Sequence, residues 1–419
     1  MSRLQALAKV ILPGLLAMAL IAATLRFLGY TPALTHVGGR TLAGDPLDFF
    51  TDESADQPDM EISGVADVDN VILLIGDGMG FSHVQAARSY LVGPNGRLAF
   101  EKMPVTGWLM THSLDLIYTD SAGAATALAT GCKTLPGRLA VRADGSSCRT
   151  LVEVAREAGM RTGLITDSYF YDATIAAFLV HHLSRNDYQE IIAEMALSDT
   201  DILIGGVRRE VTLEDREKIV QQFAENGWAT ARNWQELDQI RQTQSDKSGR
   251  VAAIFSESAI ADESQPPSLR QLLEMSLERF DQEPGFFLLI ETEDPDTGSH
   301  NADLGQAIRG IRALADTVEA ALDFARETGR TLVLVTSDHE TGGLSLVGGR
   351  HGQSLRYRWS SSTHTGAPVP LYAFGPGAQR FSGVRDNTEI APIIASLLGA
   401  KLRAEHKPVA EVEGSAGVD

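Results

Sequence analysis

Asn70–Val71–Ile72–Leu73–Leu74–Ile75–Gly76–Asp77–Gly78–Met79–Gly80 decides the fold class of this chain. An apolar run without alternation reads as a strand buried on both faces, as in a parallel sheet. The glycines that follow let the backbone turn tightly and leave Asp77 at the tip, where ligands of open α/β sheets bind. Taken alone, this is also how an ordinary glycine turn capped by Asp looks. Two further runs repeat the pattern. Phe286–Ile290 leads into Glu291–Thr292–Glu293–Asp294–Pro295–Asp296–Thr297–Gly298–Ser299–His300, and Thr331–Thr336 leads into Ser337–Asp338–His339. A fourth strand, Val369–Phe374, is preceded by His364, and shorter ones are expected at Arg161–Thr166 and Asp201–Ile204. Helical spacing falls between them, at Thr150–Gly159, Leu213–Asn226, Leu269–Phe280 and Leu304–Arg326. Alternating strands and helices predict an α/β fold on a parallel sheet.

The chain has 419 residues, 43% of them hydrophobic, and a net charge of −19. That acidity argues against nucleic acid as a partner, because phosphate-backbone binding needs a basic face. Arg3 and Lys9 precede an apolar run from Val10 to Leu25, which predicts a signal peptide or signal-anchor over residues 1–30 and an exported body. Residues 31–65 read as a linker or arm, 66–403 as the globular body and 404–419 as a disordered acidic tail. Cys132 and Cys148 could staple a short loop in an oxidising compartment; the sequence leaves their pairing open.

Thr119–Asp120–Ser121–Ala122–Gly123–Ala124–Ala125–Thr126 places one serine at the start of a helix of small residues. Side-chain oxygens cap such a start, and its free N–H groups and dipole make an anion site. Taken alone, the stretch reads better as an ordinary cap on a tightly packed helix; the strand ends reverse that reading. Asp77, Glu291, Asp296, His300, Asp338, His339 and His364 would meet in one cleft beside Ser121 if the strand ends converge. Buried carboxylates repel one another unless a cation holds them, and added imidazoles suit zinc. This set is too large for one tetrahedral zinc and suits two zinc ions plus an all-oxygen magnesium site. Asp172 and Thr174, two apart, could reach one site from an extended segment. His181 and His182 close an apolar helix and are read as structural, since adjacent helical side chains diverge by about 100°. Residues 200–285 offer no evident chemistry.

In order, Gly76–Asp77–Gly78–Met79–Gly80, Asp120–Ser121–Ala122, Asp172–Ala173–Thr174, Arg185, the Glu291–Asp296–His300 spacing, Asp338–His339 and His364–Thr365–Gly366 resemble the alkaline phosphatase family over most of residues 66–403. The resemblance implies a single catalytic domain with a large, mostly parallel central sheet flanked by helices on both faces. It implies an exported, periplasmic or extracellular phosphate monoester hydrolase in which Ser121 becomes phosphoserine. Asp296, His300 and His364 would hold one zinc, and Asp338 and His339, with Ser121 and Asp77, the second. Asp77 would bridge to a magnesium bound by Glu291 and Thr174, with Asp172 acting through water. Arg185, steadied by Asp120, would clamp two phosphate oxygens.

Many bacterial members carry lysine or histidine where this chain has Thr297, which implies a looser hold on phosphate. Members are commonly dimers, but the segment from Gly343 to Thr363 is short beside the family's surface insertions, which weakens the expectation of a homodimer. The N-terminal run could tether the enzyme to a membrane. A phosphodiesterase with the same metal core and a non-catalytic metal- or phosphate-binding protein are the competing readings; the first lacks a use for Arg185 on two oxygens, the second for Ser121.

Overall fold

The computed structural model describes residues 40–43, 67–243, 249–256, 267–280, 285–350, 353–400 and 402. The N-terminal apolar run and the acidic tail therefore lie outside the described residues, and of the expected linker only Arg40–Ala43, a short strand, is described. From Thr41 onward the described residues form one compact unit. Among the described residues no helix is long and apolar enough to cross a membrane.

A ten-stranded sheet runs through that unit. Its strands are β1 (Asn70–Gly76), β2 (Val105–Met110), β3 (Arg161–Tyr169), β4 (Ile202–Val207), β5 (Ala229–Ala231), β6 (Val251–Ser256), β7 (Phe286–Thr292), β8 (Thr331–Thr336), β9 (Val369–Phe374) and β10 (Gly383–Asp386). The spatial order is β10-β2-β9-β8-β1-β7-β3-β4-β6-β5. Strand β9 is antiparallel to both its neighbours, and every other pairing is parallel. The strands with the acidic or Asp–His ends, β1, β7 and β8, sit side by side at the centre, where both faces are covered.

Helices cover each face because strand side chains alternate between them. The helices that matter here are α1 (Phe81–Leu91), α2 (Ser121–Thr130), α3 (Leu151–Glu157), α4 (Ala173–Leu179), α5 (Tyr188–Leu197), α6 (Leu213–Glu225), α7 (Trp234–Thr243), α8 (Leu269–Phe280), α9 (Asp294–His300), α10 (Leu304–Thr328) and α11 (Ile390–Leu397). Val71, Leu73 and Ile75 of β1 pack in one layer with α2 to α6 and α11. Ile72 and Leu74 pack in the other with α1, α8 and α10. Fully burying each such side chain contributes about 1.5–3 kcal/mol.

The expected strands and helices are present, several with longer bounds, but three local readings change. The acidic stretch after β7, read from the sequence only as the continuation of a strand, becomes the short helix α9 with Pro295 in its first turn. Asp172 and Thr174 do not lie on an extended segment: Asp172 is the N-cap of α4 and Thr174 lies in its first turn. That helix ends at Leu179, so His181 and His182 follow it, and His182 forms an isolated antiparallel bridge with Leu139.

Candidate active site

The site lies at the carboxyl edge of the sheet. Strand β1 delivers Asp77, β7 carries Glu291 and leads into α9, and β8 delivers Asp338 and His339. His364 reaches the same edge because β9 runs backwards, so that its beginning lies where its neighbours end. A two-residue ladder, Glu340–Thr341 with His364–Thr365, fixes that approach.

Ser121 is the first residue of α2 and is 5% exposed. Asp120 caps the helix, accepting the Gly123 N–H at 2.9 Å, so the cap role belongs to Asp120. The Ser121 hydroxyl oxygen, Oγ, lies 3.3 Å from His339 Nε2. The other Asp120 oxygen accepts the Gly137 N–H at 2.9 Å and lies 3.5 Å from Arg185 Nη1. Arg185 Nη2 donates to Asp172 at 2.8 Å, and the Arg185 N–H donates to the Gly137 carbonyl at 2.7 Å. Burial would discharge this guanidinium, but the Asp172 and Asp120 charges outweigh it and hold its pKa above the ordinary value. Gly137 lies in the loop closed by the disulfide Cys132–Cys148, so the staple holds both the serine's flanking carboxylate and the guanidinium.

Two groups of ligand-type atoms gather on the other side of Ser121. Those of Asp296, His300 and His364 lie within 4.8 Å of one another, as do those of Asp77, Asp296 and His339. Asp296 and His300 share a face because they are four apart on α9. The His300 Nδ1 donates to the Ser362 carbonyl at 2.7 Å and the His364 Nδ1 to the Thr119 carbonyl at 2.8 Å. The two Nε2 atoms are then left facing each other at 3.2 Å. Facing lone pairs repel unless a proton or a cation lies between them. His339 Nε2 stands 3.1 Å from Asp338 Oδ2 and 3.5 Å from Asp77 Oδ1. Both carboxylate oxygens are buried without a hydrogen-bond donor, as is Glu291 Oε2. Uncompensated buried carboxylate is costly, so these residues fit divalent cations.

The electrostatics have the same origin. Burial, reinforced by Asp338, Asp296 and Glu291, pushes Asp77 far up. Burial lifts Asp338 to about 7 and, with Asp172 adding to it, Glu291 to about 8. Burial would raise Asp296 too, but the His300 hydrogen bond and the nearby imidazoles hold it below the carboxylate range. His300 is raised chiefly by its bond to Asp296, whereas burial lowers His339 and His364. Glu291 faces Asp172, Thr174 and Thr166, a set with only oxygen donors.

The structure thus brings all twelve anticipated site residues to one cleft and its walls. It adds some that sequence reasoning missed. Thr341 bonds Asp296 and lies 3.2 Å from His339 Nδ1, tying the two ligand groups together. Glu293, whose N–H donates to Asp167 at 2.8 Å, joins the lining with Tyr118 and Tyr169. No spacing rule marks these residues in advance. His181 and His182 are structural as expected, for a different reason: His181 bonds the Ala140 carbonyl and Glu153, and His182 the Ser184 carbonyl.

The family model described as alkaline phosphatase matches residues 68–357 and 350–400. The chain belongs to the alkaline phosphatase family. It is 32% identical to the streptomycin-6-phosphate phosphatase of Streptomyces griseus, over 81% of this chain and 93% of that one. It is 28% identical to alkaline phosphatase 4 of Bacillus subtilis, over 80% and 89%, and to the alkaline phosphatase of Escherichia coli, over 87% and 91%. The cold-active alkaline phosphatase of a psychrophilic Shewanella superposes with a TM-score of 0.71 at 28% identity, covering 78% of this chain and 99% of that one. As a member of the alkaline phosphatase family, this chain is a metal-dependent phosphomonoesterase on the mostly parallel α/β sheet described above.

Proposed function

We propose that this phosphomonoesterase acts through a phosphoserine formed on Ser121, with two zinc ions and one magnesium. One observation carries the mechanism: the Ser121 hydroxyl sits at a helix N-terminus, against a ligand-type imidazole and beside the braced Arg185. Asp296, His300 and His364 would hold one zinc, and Asp338, His339 and Asp77 the other; imidazole–carboxylate sets suit that ion. Asp77, Glu291, Thr174 and, through water, Asp172 would hold magnesium, which prefers oxygen donors. A TAB5 alkaline phosphatase variant, 26% identical with a TM-score of 0.70, carries magnesium in its M3 site. Bound divalent cations lower the pKa of an oxygen nucleophile and stabilise the attacking and leaving oxygens. Ser121 Oγ, its proton given up, attacks phosphorus as the bond to the ester oxygen breaks and the alcohol leaves; water then hydrolyses the phosphoserine, releasing inorganic phosphate and restoring Ser121. Arg185, held by Asp172 and Asp120, pairs with two equatorial oxygens, where transition-state charge spreads. The free N–H groups of the first turn of α2 add to that stabilisation.

Purified protein tests this with p-nitrophenyl phosphate from about pH 7 to about 10, after chelation and again after restoring zinc and magnesium. Metal-restored turnover, with phosphate trapped on Ser121 at acid pH, is the expected result. No turnover with any metal in a folded protein overturns it.

The apolar run near the N-terminus supports export to the periplasm or cell exterior, with residues 10–25 as a candidate tether; cell fractionation of the activity tests both. Phe81, Trp108, Met110 and Val384 are exposed on α1 and the β2–β10 edge, Trp108 by 52% and Val384 by 62%. Such a surface supports a homodimer, which sedimentation would reveal.

A further inference from the structure

Beyond the catalytic cleft, a second pocket begins behind Tyr169. Tyr169 lines both: on one side with Asp172 and Arg185, on the other with Arg208, Thr297, Asn301 and Gln306. Thr297 and Asn301 each follow a candidate metal ligand on α9 or at its end, Asp296 and His300. The second pocket therefore adjoins the catalytic cleft across Tyr169 and α9.

Many arginines of this acidic chain pair with carboxylates, as Arg156 and Arg161 do with Asp201 and Arg232 does with Glu217, and Arg250, over the Trp228 ring, spends its donors on the Ser198 and Asn226 carbonyls. Arg208 instead lies between two aromatic rings, 4.6 Å from the Tyr169 centroid and 4.2 Å from that of Tyr188. Its Nη2 donates to the Tyr169 hydroxyl at 3.0 Å, and its backbone N–H donates to the Tyr171 hydroxyl at 3.2 Å. Among the described residues it makes no direct ion pair, Asp172 acting on it only from a distance, and no protein acceptor but the Tyr169 hydroxyl takes its guanidinium donors. The rings fix the plane of the fork without consuming its charge, so little side-chain entropy is lost when an anion binds. Glu210 at the exposed margin tempers the positive potential but makes no bond to Arg208.

We propose that this pocket is a subsite for a second anionic group on the substrate, anchored by Arg208, with Thr297, Asn301 and Gln306 around it for hydroxyl groups. The preferred substrates are phosphate monoesters whose alcohol carries a carboxylate or another phosphate several bonds from the ester. This rests on the phosphomonoesterase reading at Ser121.

The test compares two open-chain six-carbon esters that differ only at the far end, 6-phosphogluconate with a carboxylate and sorbitol 6-phosphate with a hydroxymethyl group. Phosphate release is followed with full-length, metal-loaded enzyme. The expected kcat/KM ratio favours 6-phosphogluconate by about fivefold or more. Arg208→Gln brings the ratio to about one, and Arg208→Lys, which keeps the charge but not the stacked fork, retains part of the preference. Raising sodium chloride from about 50 to about 500 mM lowers the wild-type ratio, a readout that needs no variant to fold. A wild-type ratio of one or below, a ratio unmoved by Arg208→Gln, or one unmoved by salt overturns the subsite. A wild-type enzyme inert even to p-nitrophenyl phosphate overturns the Ser121 reading, and the subsite with it.

Discussion

At the scale of single residues, the cleft separates the group that attacks from the groups that hold. Ser121→Ala removes the attacking oxygen and leaves the cap, because Asp120 makes it. Its kcat on p-nitrophenyl phosphate is expected to fall at least about 1,000-fold with the melting temperature little changed. Arg185→Lys keeps a charge but loses the fork that Asp120 and Asp172 brace from two sides. KM and the inhibition constant of inorganic phosphate are expected to rise together, by about tenfold, in steady-state assays. Asp77, Glu291 and Asp338 were legible in the sequence because each sits at the end of an apolar run read as a core strand, and Asp296, His300 and His364 because they lie within a few residues of such runs. Thr341 and Arg208 were not, since a hydroxyl bridging two ligands and a guanidinium between rings follow from tertiary packing alone.

Among elements, the glycine turn after β1 and the stapled loop carry the tightest constraints. Gly78 has φ +68°, and a Cβ there would lie 2.8 Å from the Asp296 Cα, from Asp296 Oδ1 and from Thr341 Oγ1. Gly78→Ala therefore combines backbone strain with a collision against a candidate metal ligand. A loss of about 1–3 kcal/mol or more is expected in denaturant unfolding, together with weaker zinc retention. Reducing Cys132–Cys148, 16 positions apart, releases a loop whose closure contributes about 3 kcal/mol. Because Gly137 in that loop holds Asp120 and Arg185, thiol treatment is expected to raise KM as well as lower the melting temperature. The sequence showed which strands form but not their direction. Val369–Phe374 reads the same either way, and only its pairing with β2 and β8 reverses it. The helix α9 was hidden because Asp, Thr and Gly are poor helix formers; Pro295 in its first turn was the available start signal.

For the molecule as a whole, the buried carboxylates link folding to metal and to pH. In metal-free protein Asp338 and Glu291 titrate at about 7 and about 8, and Asp77 and Glu293 are also raised, all by burial first. Their folded forms keep protons that the unfolded chain has released, so stability is lost as pH rises through those values. Burial lowers His83 to about 4, with the opposite sign, but its contribution is complete once pH exceeds the ordinary histidine value of 6.5. Chelated protein is therefore expected to melt at progressively lower temperature between pH 6.5 and about 9. Zinc and magnesium should abolish that decline, and a flat calorimetric profile without metal would contradict it.

The central position of β1 also sets a timetable for synthesis. Val71 pairs with Phe287 on one side and Leu332 on the other. At about 5–20 residues per second, the nascent strand waits on the order of 10–40 s for its first neighbour. Through that interval an unbroken apolar strand has neither neighbour to join, and the enzyme cannot fold progressively from its N-terminal end. A chaperone or holding factor that masks Val71–Ile75 would act in that window, and ribosome-bound chains ending before β7 should remain open to protease.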